Sequence, residues 1–553
     1  MMTSSADDTA KTQQYDVIVV GAGFAGLYLL YCLRARGLSA IALEAGDDVG
    51  GTWYWNRYPG ARCDVPSLQY SFSFSPELQQ EWHWSEKYAA QPEILSYIQH
   101  VADRFDLRGM IRFDTRVEAA HFDEAANAWT ITTDGGQAYR ARYCVMATGS
   151  LSASRLPDIP GIDSFAGRML HTGRWPQEGV DFTGRRVGVI GTGSSAVQAI
   201  PKIAEQAARV VVFQRTPNFT VPARNGVLPE QEVAVWKQNY DERRAQARST
   251  RSAMLYDYGD RSALDVPEDE RRAEMERRWA AGGTNFLYAF NDIMRDERSN
   301  KIVADFIREK IAETVKDPET ARKLTPRDDP VGAKRICVDT DYYDTFNRPN
   351  VYLADLRSEP IESISSEAVK TSADLYEIDD LVLATGFDAM TGALSAIDIR
   401  GLGSERLRDK WVAGPRTYLG MMTHGYPNLF IVNGPGSPSV LSNMVASVEQ
   451  NVDWIVDCID AVGFGEGARI DPLKAAEDDW VQHVNDVAAP TLYGSAASWY
   501  MGANVPGKPR VFMPYVGGWS NYAEKVRDVA AKGYDGFEVQ GGTSSAVSTP
   551  RRA

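Results

Sequence analysis

One pattern occurs twice, about 170 residues apart: a β-type strand runs into a glycine-rich turn and then a helix. A charged, helix-favouring stretch follows the second copy. Together these predict an α/β protein of two Rossmann-like dinucleotide-binding domains with a helical insertion. The length of 553 residues agrees, since roughly 150 residues per domain gives about three to four domains.

The first copy opens with a continuous apolar run over residues 15–20, as expected of a parallel strand buried on both faces. Gly21, Gly23 and Gly26 form a GxGxxG turn, a helix extends to about residue 36, and residues 39–44 (SAIALE) read as the next strand. In the second copy, residues 185–190 lead into Gly191, Thr192, Gly193, Ser194, Ser195 and Ala196. A helix is expected to about residue 208, and residues 209–214 (RVVVFQ) form the following strand. Between the copies the chain has β character at 129–133 and 143–149, the latter ending in Ala-Thr-Gly. A second strand ending in Ala-Thr-Gly stands at 379–388. Residues 222–330 carry charged segments such as DERRAQARSTRSAM and PEDERRAEMERRW and read as a helical insertion or subdomain. A long helix is expected over about 442–462, a Gly/Pro/aromatic loop over 498–509, and loose ends over the first ~14 residues and 541–553.

The uncharged run 17–33 resembles a short membrane span, but it has only 17 residues, three glycines and no basic flank. Strand, turn and helix fit it better. Lys plus Arg is 59 against 74 for Asp plus Glu, a net charge of −15 that disfavours a general nucleic-acid binder and an anionic membrane surface. The five cysteines form no CxxC pair and the six histidines no HExxH, so neither a disulfide redox centre nor a metal site is expected. Reduced thiols in a cytoplasmic protein are the simplest reading.

A strand–GxGxxG–helix turn brings backbone N–H groups and a helix N-terminus to a pyrophosphate. The residue ending the next strand separates the two sites. Glu44, 23 residues after Gly21, offers a carboxylate to ribose hydroxyls and suits FAD or NAD; Arg215, 24 residues after Gly191, suits the 2′-phosphate of NADPH. FAD first and NADPH second, with no CxxC to receive electrons, leaves dioxygen as the obvious oxidant.

Between the turns stand Phe165, Gly167, His171, Trp175 and Pro176. They resemble the FxGxxxHxxxW(P/D) fingerprint of the Baeyer–Villiger monooxygenases; related flavin monooxygenases lack the tryptophan. Residues 50–64 (Gly50 through Thr52, Trp53, Tyr54, Trp55, Arg62 and Asp64), Lys334-Arg335, GPGSPSVLSNM at 434–444 and SWYMGANVPGKPR at 498–510 resemble the same family in order. The resemblance covers about residues 15–540 and is closest in flavour to the phenylacetone, steroid and cycloalkanone monooxygenases.

It implies NADPH reduction of FAD, a C4a-peroxyflavin, and insertion of one oxygen next to a ketone carbonyl, giving an ester or lactone. In that reading Arg335 is the catalytic arginine, because arginine does not deprotonate, and Asp64 orients it. Lys334, with Arg215 and Thr216, would bind the 2′-phosphate, and Trp499 would lie near the nicotinamide. Thr52, Trp53, Tyr54, Trp55, Tyr70, Val117 and Met444 would surround FAD, with Arg62 also among the cofactor-binding positions. Gln198 and the turn from Gly191 to Ala196 would contact NADP. His171 reads as a buried structural histidine of a linker coupling the domains, with proton transfer as the alternative. Ser150 departs from the phenylacetone type, which has a larger polar residue there, and this leaves the substrate open.

The division expected is an FAD domain at 15–150 and 384–540, an NADP domain at 151–221 and 331–383, an insertion at 222–330 and a tail at 541–553. Expected partners are a ketone and dioxygen, with no nucleic acid, membrane span or obligate protein partner. Alternatives are a flavin-dependent N- or S-oxygenating monooxygenase and a non-catalytic FAD/NADPH-binding redox sensor.

Overall fold

The computed structural model describes residues 12–541. The expected loose N-terminus up to residue 11 and the tail from residue 542 lie outside the described residues.

Both repeats form the expected units. The first strand, Gln13–Val20, lies between Ala40–Leu43 and Ala138–Met146, parallel to both. Val17, Ile18 and Val19 are wholly buried, at about 1.5–3 kcal/mol of hydrophobic stabilisation for each such side chain. Ile111–Arg112 extends this sheet on one side, and an antiparallel meander, Val117–Asp123 and Ala128–Thr133 into Ala138–Met146, extends it on the other. Two strands arrive from the far end of the chain: Leu429–Ile431 beside Ala138–Met146, and Asp398–Arg400 beside Val117–Asp123. The first unit is thus completed by residues more than 250 positions downstream of its opening strands.

The second sheet is parallel throughout, in the order Val351–Asp355, Arg209–Gln214, Arg186–Ile190, Asp380–Leu383, Arg168–His171. The strand Asp380–Leu383 begins with a fully buried carboxylate, Asp380. Arg168 donates to it at 2.6 and 2.7 Å and Arg185 at 3.0 Å to each oxygen. A three-stranded antiparallel sheet, Ile361–Ile364, Ala368–Thr371 and Leu375–Glu377, caps one side.

Several expected boundaries shift, each for a local reason. The strands expected at 143–149 and 379–388 stop at Met146 and Leu383, before the Ala-Thr-Gly segments turn away with positive φ at Gly149 and Gly386. The second helix ends at Ala204. The long C-terminal helix is Met444–Val462, because the Asn443 side chain accepts from the Val445 N–H at 3.1 Å and caps it.

The insertion is helical but is not a separate body. Its helices Glu230–Gln238 and Tyr240–Arg248 put Trp236 and Tyr240 into the core of the first unit. Glu297–Thr314 and Pro318–Leu324 put Val303, Ile307, Ile311 and Leu324 into the core of the second. Most of its apolar surface joins the cores of the two units. Among the described residues no helix is long and apolar enough to cross a membrane.

Burial raises the affinity of the Asp380 carboxyl for its proton, but the Arg168 and Arg185 guanidiniums overcome this and hold it below the usual carboxylate range. A depressed folded value means that the stabilisation is present above the ordinary carboxylate pKa and lost as pH falls. Asp380→Ala is therefore expected to cost about 2–3 kcal/mol near pH 7, at the low end for a broken buried pair because both arginines are partly solvated. Chemical denaturation at pH 7 and pH 4 checks this, with a smaller gap from the parent protein at pH 4.

Candidate active site

The two glycine turns share one geometry. Gly21 and Gly191 have φ of +106° and +120°. A Cβ on Gly21 would press on the Ala147 carbonyl, and one on Gly191 on the Ala384 carbonyl. Each Ala-Thr-Gly segment therefore packs directly against its turn, which explains why that triplet recurs. A Cβ on Gly26 would strike the Gly21 carbonyl, so helix and strand touch at backbone distance.

The helices beyond the turns, Phe24–Ala35 and Ser194–Ala204, have glycine N-caps, no side-chain cap and no acid in the first turn. Uncapped N–H groups above a glycine cradle fit the pyrophosphate of a dinucleotide at both places. Glu44 is 5% exposed and accepts from the Ala22 and Gly46 N–H groups at 2.8 Å, one on each oxygen. Each oxygen keeps a further lone pair for a ribose hydroxyl. At the second site Arg215 is exposed at its strand end, and the Thr216 carbonyl accepts from Thr192 Oγ1 at 2.7 Å. Lys334 is half-buried and paired with Asp329 at 2.6 Å. These residues fit FAD at the first turn and NADP at the second.

Asp64 and Arg335 meet between the units. Arg335 Nε donates to Asp64 Oδ2 at 2.9 Å, and one terminal nitrogen donates to both carboxylate oxygens at 2.8 and 2.6 Å. The other terminal nitrogen donates to the Val440 carbonyl at 2.8 Å. Protein surrounds the guanidinium, yet 30% of its side-chain surface and 21% of that of Asp64 stay reachable by water, so the pair fronts an internal cavity. Burial works against the charge on Arg335. The Asp64 carboxylate and the Tyr500 hydroxyl more than offset it, and the pKa lies well above the ordinary arginine value.

The wall near Asp64 is aromatic. Thr52–Trp55 is a single helical turn, Trp53 Nε1 donates to the Tyr70 hydroxyl at 3.2 Å, and Tyr54 Oη donates to Asp47 at 2.7 Å. The Trp499 and Tyr500 rings lie 4.3 Å apart, tilted by 53°, and Met444 packs in the same apolar cluster. Their loop is bolted to the second Ala-Thr-Gly segment: Lys508 pairs with Asp388, and Asn504 Nδ2 donates to the Phe387 carbonyl at 2.7 Å.

Three of the expected cofactor positions, Gln198, Arg62 and Val117, have their side chains engaged by the protein itself. Gln198 Oε1 accepts from the Tyr58 hydroxyl at 2.8 Å and its Nε2 donates to the Arg62 carbonyl at 3.0 Å, so its amide joins the two units. Arg62 itself pairs with Glu86. The Val117 side chain lies in the core of the first sheet with Ile18 and Trp129, which leaves only its backbone for a ligand. His171 is 7% exposed and its Nδ1 accepts from the Gly173 N–H at 3.0 Å, which puts the proton on Nε2. Burial depresses its pKa, so it stays neutral and structural. The Trp175 N–H donates to the Trp55 carbonyl at 3.4 Å, joining the fingerprint segment to the aromatic wall.

Sequence reasoning passed over Tyr500, Asn218 and Cys337. Asn218 Nδ2 donates to the Arg335 carbonyl at 3.2 Å and to Cys337 Sγ at 3.1 Å, and Cys337 Sγ lies 3.4 Å from Ser194 Oγ. These contacts tie the backbone of Arg335 to the second glycine turn. Burial pushes the Cys337 thiol up to about 11, so it is an uncharged hydrogen-bonding partner. The available signal was proximity: Asn218 stands three residues after Arg215, and Cys337 two after Arg335.

Comparison with known proteins places this geometry. Residues 18–244 match the pyridine nucleotide-disulphide oxidoreductase family. The chain is 41% identical to a Baeyer–Villiger monooxygenase of Pseudooceanicola batsensis over 525 residues, covering 94% of this chain and 95% of that protein. It is 42% identical to a phenazine N-monooxygenase of Lysobacter antibioticus, covering 98% and 100%. Among solved structures, an oxidised steroid monooxygenase bound to NADP superposes with a TM-score of 0.91 at 51% identity, covering 96% of this chain and all of that one. The protein OTEMO in complex with FAD and NADP superposes with a TM-score of 0.92 at 40% identity and the same coverage.

Replacing Arg215 and Lys334 by alanine is expected to raise the KM for NADPH by about 10- to 100-fold and leave that for NADH within about threefold, since charge-assisted bonds to a phosphate are lost. Steady-state kinetics with both coenzymes decides; equal losses for the two would remove these residues from 2′-phosphate recognition.

Proposed function

The chain belongs to the Baeyer–Villiger flavin monooxygenases, and we propose that it uses FAD, NADPH and dioxygen to insert one oxygen atom next to a ketone carbonyl, giving an ester or a lactone. The observation that carries this is the Asp64–Arg335 pair: a permanent cation held by a carboxylate and a backbone carbonyl, fronting a cavity between two dinucleotide cradles. We assign FAD to the unit opened by Gly21 and completed after residue 384, and NADP to the unit of Gly191, Arg215 and Lys334.

FAD held by the Gly21 turn and Glu44 would supply hydride acceptance from NADPH and the activation of dioxygen. Arg335 places fixed positive charge where negative charge develops on the oxygen of the ketone, and costs no reorganisation because its position is already set. Asp64 orients the guanidinium through two-pronged contact, the Val440 carbonyl holds its other terminal nitrogen, and Asn218 holds the Arg335 backbone carbonyl. The Tyr500 hydroxyl adds to the support of the Arg335 charge. Arg335 has its pKa raised, so it stays protonated from about pH 6 to 10, and its deprotonation does not set the alkaline limit of the reaction. N-oxygenation is the second reading, favoured by the likeness to the phenazine N-monooxygenase.

Purified enzyme given NADPH, oxygen and a panel of cyclic, aryl-alkyl and steroid ketones, with a phenazine and a sulfide, is expected to yield esters or lactones by gas chromatography–mass spectrometry. N-oxide formation with every ketone untouched would establish the second reading instead. Arg335→Ala is expected to retain FAD and oxidise NADPH while ketone oxygenation falls about 10²- to 10³-fold. Arg335→Lys does not restore it, because an ammonium cannot make the forked contact with Asp64.

A further inference from the structure

Arg251 follows the insertion helix Tyr240–Arg248 and differs from its neighbours. Arg244 donates to the Gln69 carbonyl at 2.9 Å and to Ser71 at 2.7 Å, and Arg248 pairs with Glu449 at 3.1 Å. Arg251 is exposed and its guanidinium stacks on two rings, 4.6 Å from the centroid of Tyr288 and 5.2 Å from that of Tyr258. Among the described residues its guanidinium has no carboxylate partner and no hydrogen bond. The stacking holds the plane of the group without using its in-plane N–H donors, leaving a fork suited to a carboxylate.

The backbone around Arg251 is fixed by two other segments of the chain. Its carbonyl accepts from the Trp519 N–H at 2.7 Å, and the next carbonyl, that of Ser252, accepts from the Asn443 N–H at 2.8 Å. Ser252 Oγ also lies 2.6 Å from the Tyr258 hydroxyl. Asn443 is three residues past Val440, whose carbonyl anchors Arg335. Tyr288 and Tyr493 lie in the field of both Arg251 and Arg335.

The coenzyme has its own anion sites on the second unit, at the turn of Gly191 and at Arg215 and Lys334, so Arg251 is left for another ligand. The chain carries a net charge of −15, and its overall field opposes an anion approaching from water. A fixed cation stacked on Tyr288, with no carboxylate partner among the described residues, reverses that locally.

We propose that Arg251 is the recognition residue for a negatively charged group on the substrate, and that the ketones preferred by this chain carry a carboxylate or similar anion remote from the carbonyl. This deepens the ketone-oxygenation reading above and rests on it.

The test compares 3-(4-oxocyclohexyl)propanoate with its methyl ester in the FAD-loaded enzyme with NADPH, at low and high ionic strength. The wild type is expected to favour the acid by about 10-fold or more in kcat/KM at low salt, with the preference shrinking as salt screens the charge. In R251A and R251Q the ratio of acid to ester falls to about one; R251E takes it below one. A wild-type ratio of one or less, a ratio that survives R251A, or an R251A effect confined to the KM for NADPH would each overturn the proposal. If neither compound is oxygenated, the ketone panel above decides the ketone reading separately. The two are then compared as ligands by thermal shift of the protein loaded with FAD and NADP⁺: a larger, Arg251-dependent shift for the acid supports the anion site, and equal shifts overturn it.

Discussion

Arg335 and Asp64 are 271 residues apart in the chain and meet in a forked contact with three N–O distances of 2.6 to 2.9 Å. A guanidinium surrounded by protein is tolerable only with a carboxylate beside it, because the desolvation of one unpaired ion costs several kcal/mol. The insertion that precedes Arg335, the strand pair Thr220–Pro222 with Cys337–Asp339 and the segment carrying Val440 must all be in place for that contact to close. The reactive cavity is therefore a product of the assembled chain and belongs to neither unit alone.

The units are held to each other by polar contacts with little tolerance. Gly60 packs against the Gln198 carbonyl with no room for a Cβ, and the Gln198 amide joins Tyr58 and Arg62 across the same seam. On the other side of the cavity Gly173 packs against the Phe387 ring, and Phe387 holds Asn504 in the loop of Trp499 and Tyr500. His171 and Trp175 contribute to this path as neutral packing groups: the histidine stands 6.2 Å from the Phe387 ring, and the Trp175 N–H reaches the aromatic wall. The fingerprint is thus a mechanical connection between the site's two walls, consistent with its position on a linker.

The glycine turns, the strands around them, Glu44 and Arg215 were legible because each depends on neighbours close in sequence. Gly21 needs its positive φ, and Glu44 ends the strand that pairs with the one before the turn; both follow from local chain geometry. Asp64 and Arg335 were legible only through resemblance to a family, since nothing near either residue shows that the two meet. Gln198 and Val117 went to a seam and to a core, because the side chain of a residue near a ligand is often recruited for packing. The insertion read correctly as helical from its composition, but composition does not say which core an apolar helix face will enter.

The sequence by itself determined the two cradles, their order and the charge at the end of each second strand, because a turn, a cap and a strand end are set by a few consecutive residues. Only the tertiary structure decided what lies between the cradles. It brought Arg335 to Asp64, tied the Arg335 backbone through Asn218 and Cys337 to the second turn, and left Arg251 stacked on tyrosines with no carboxylate partner among the described residues. The reason is physical: the field at an internal cavity is the sum of groups delivered from distant segments, and their distances are set by how the cores pack.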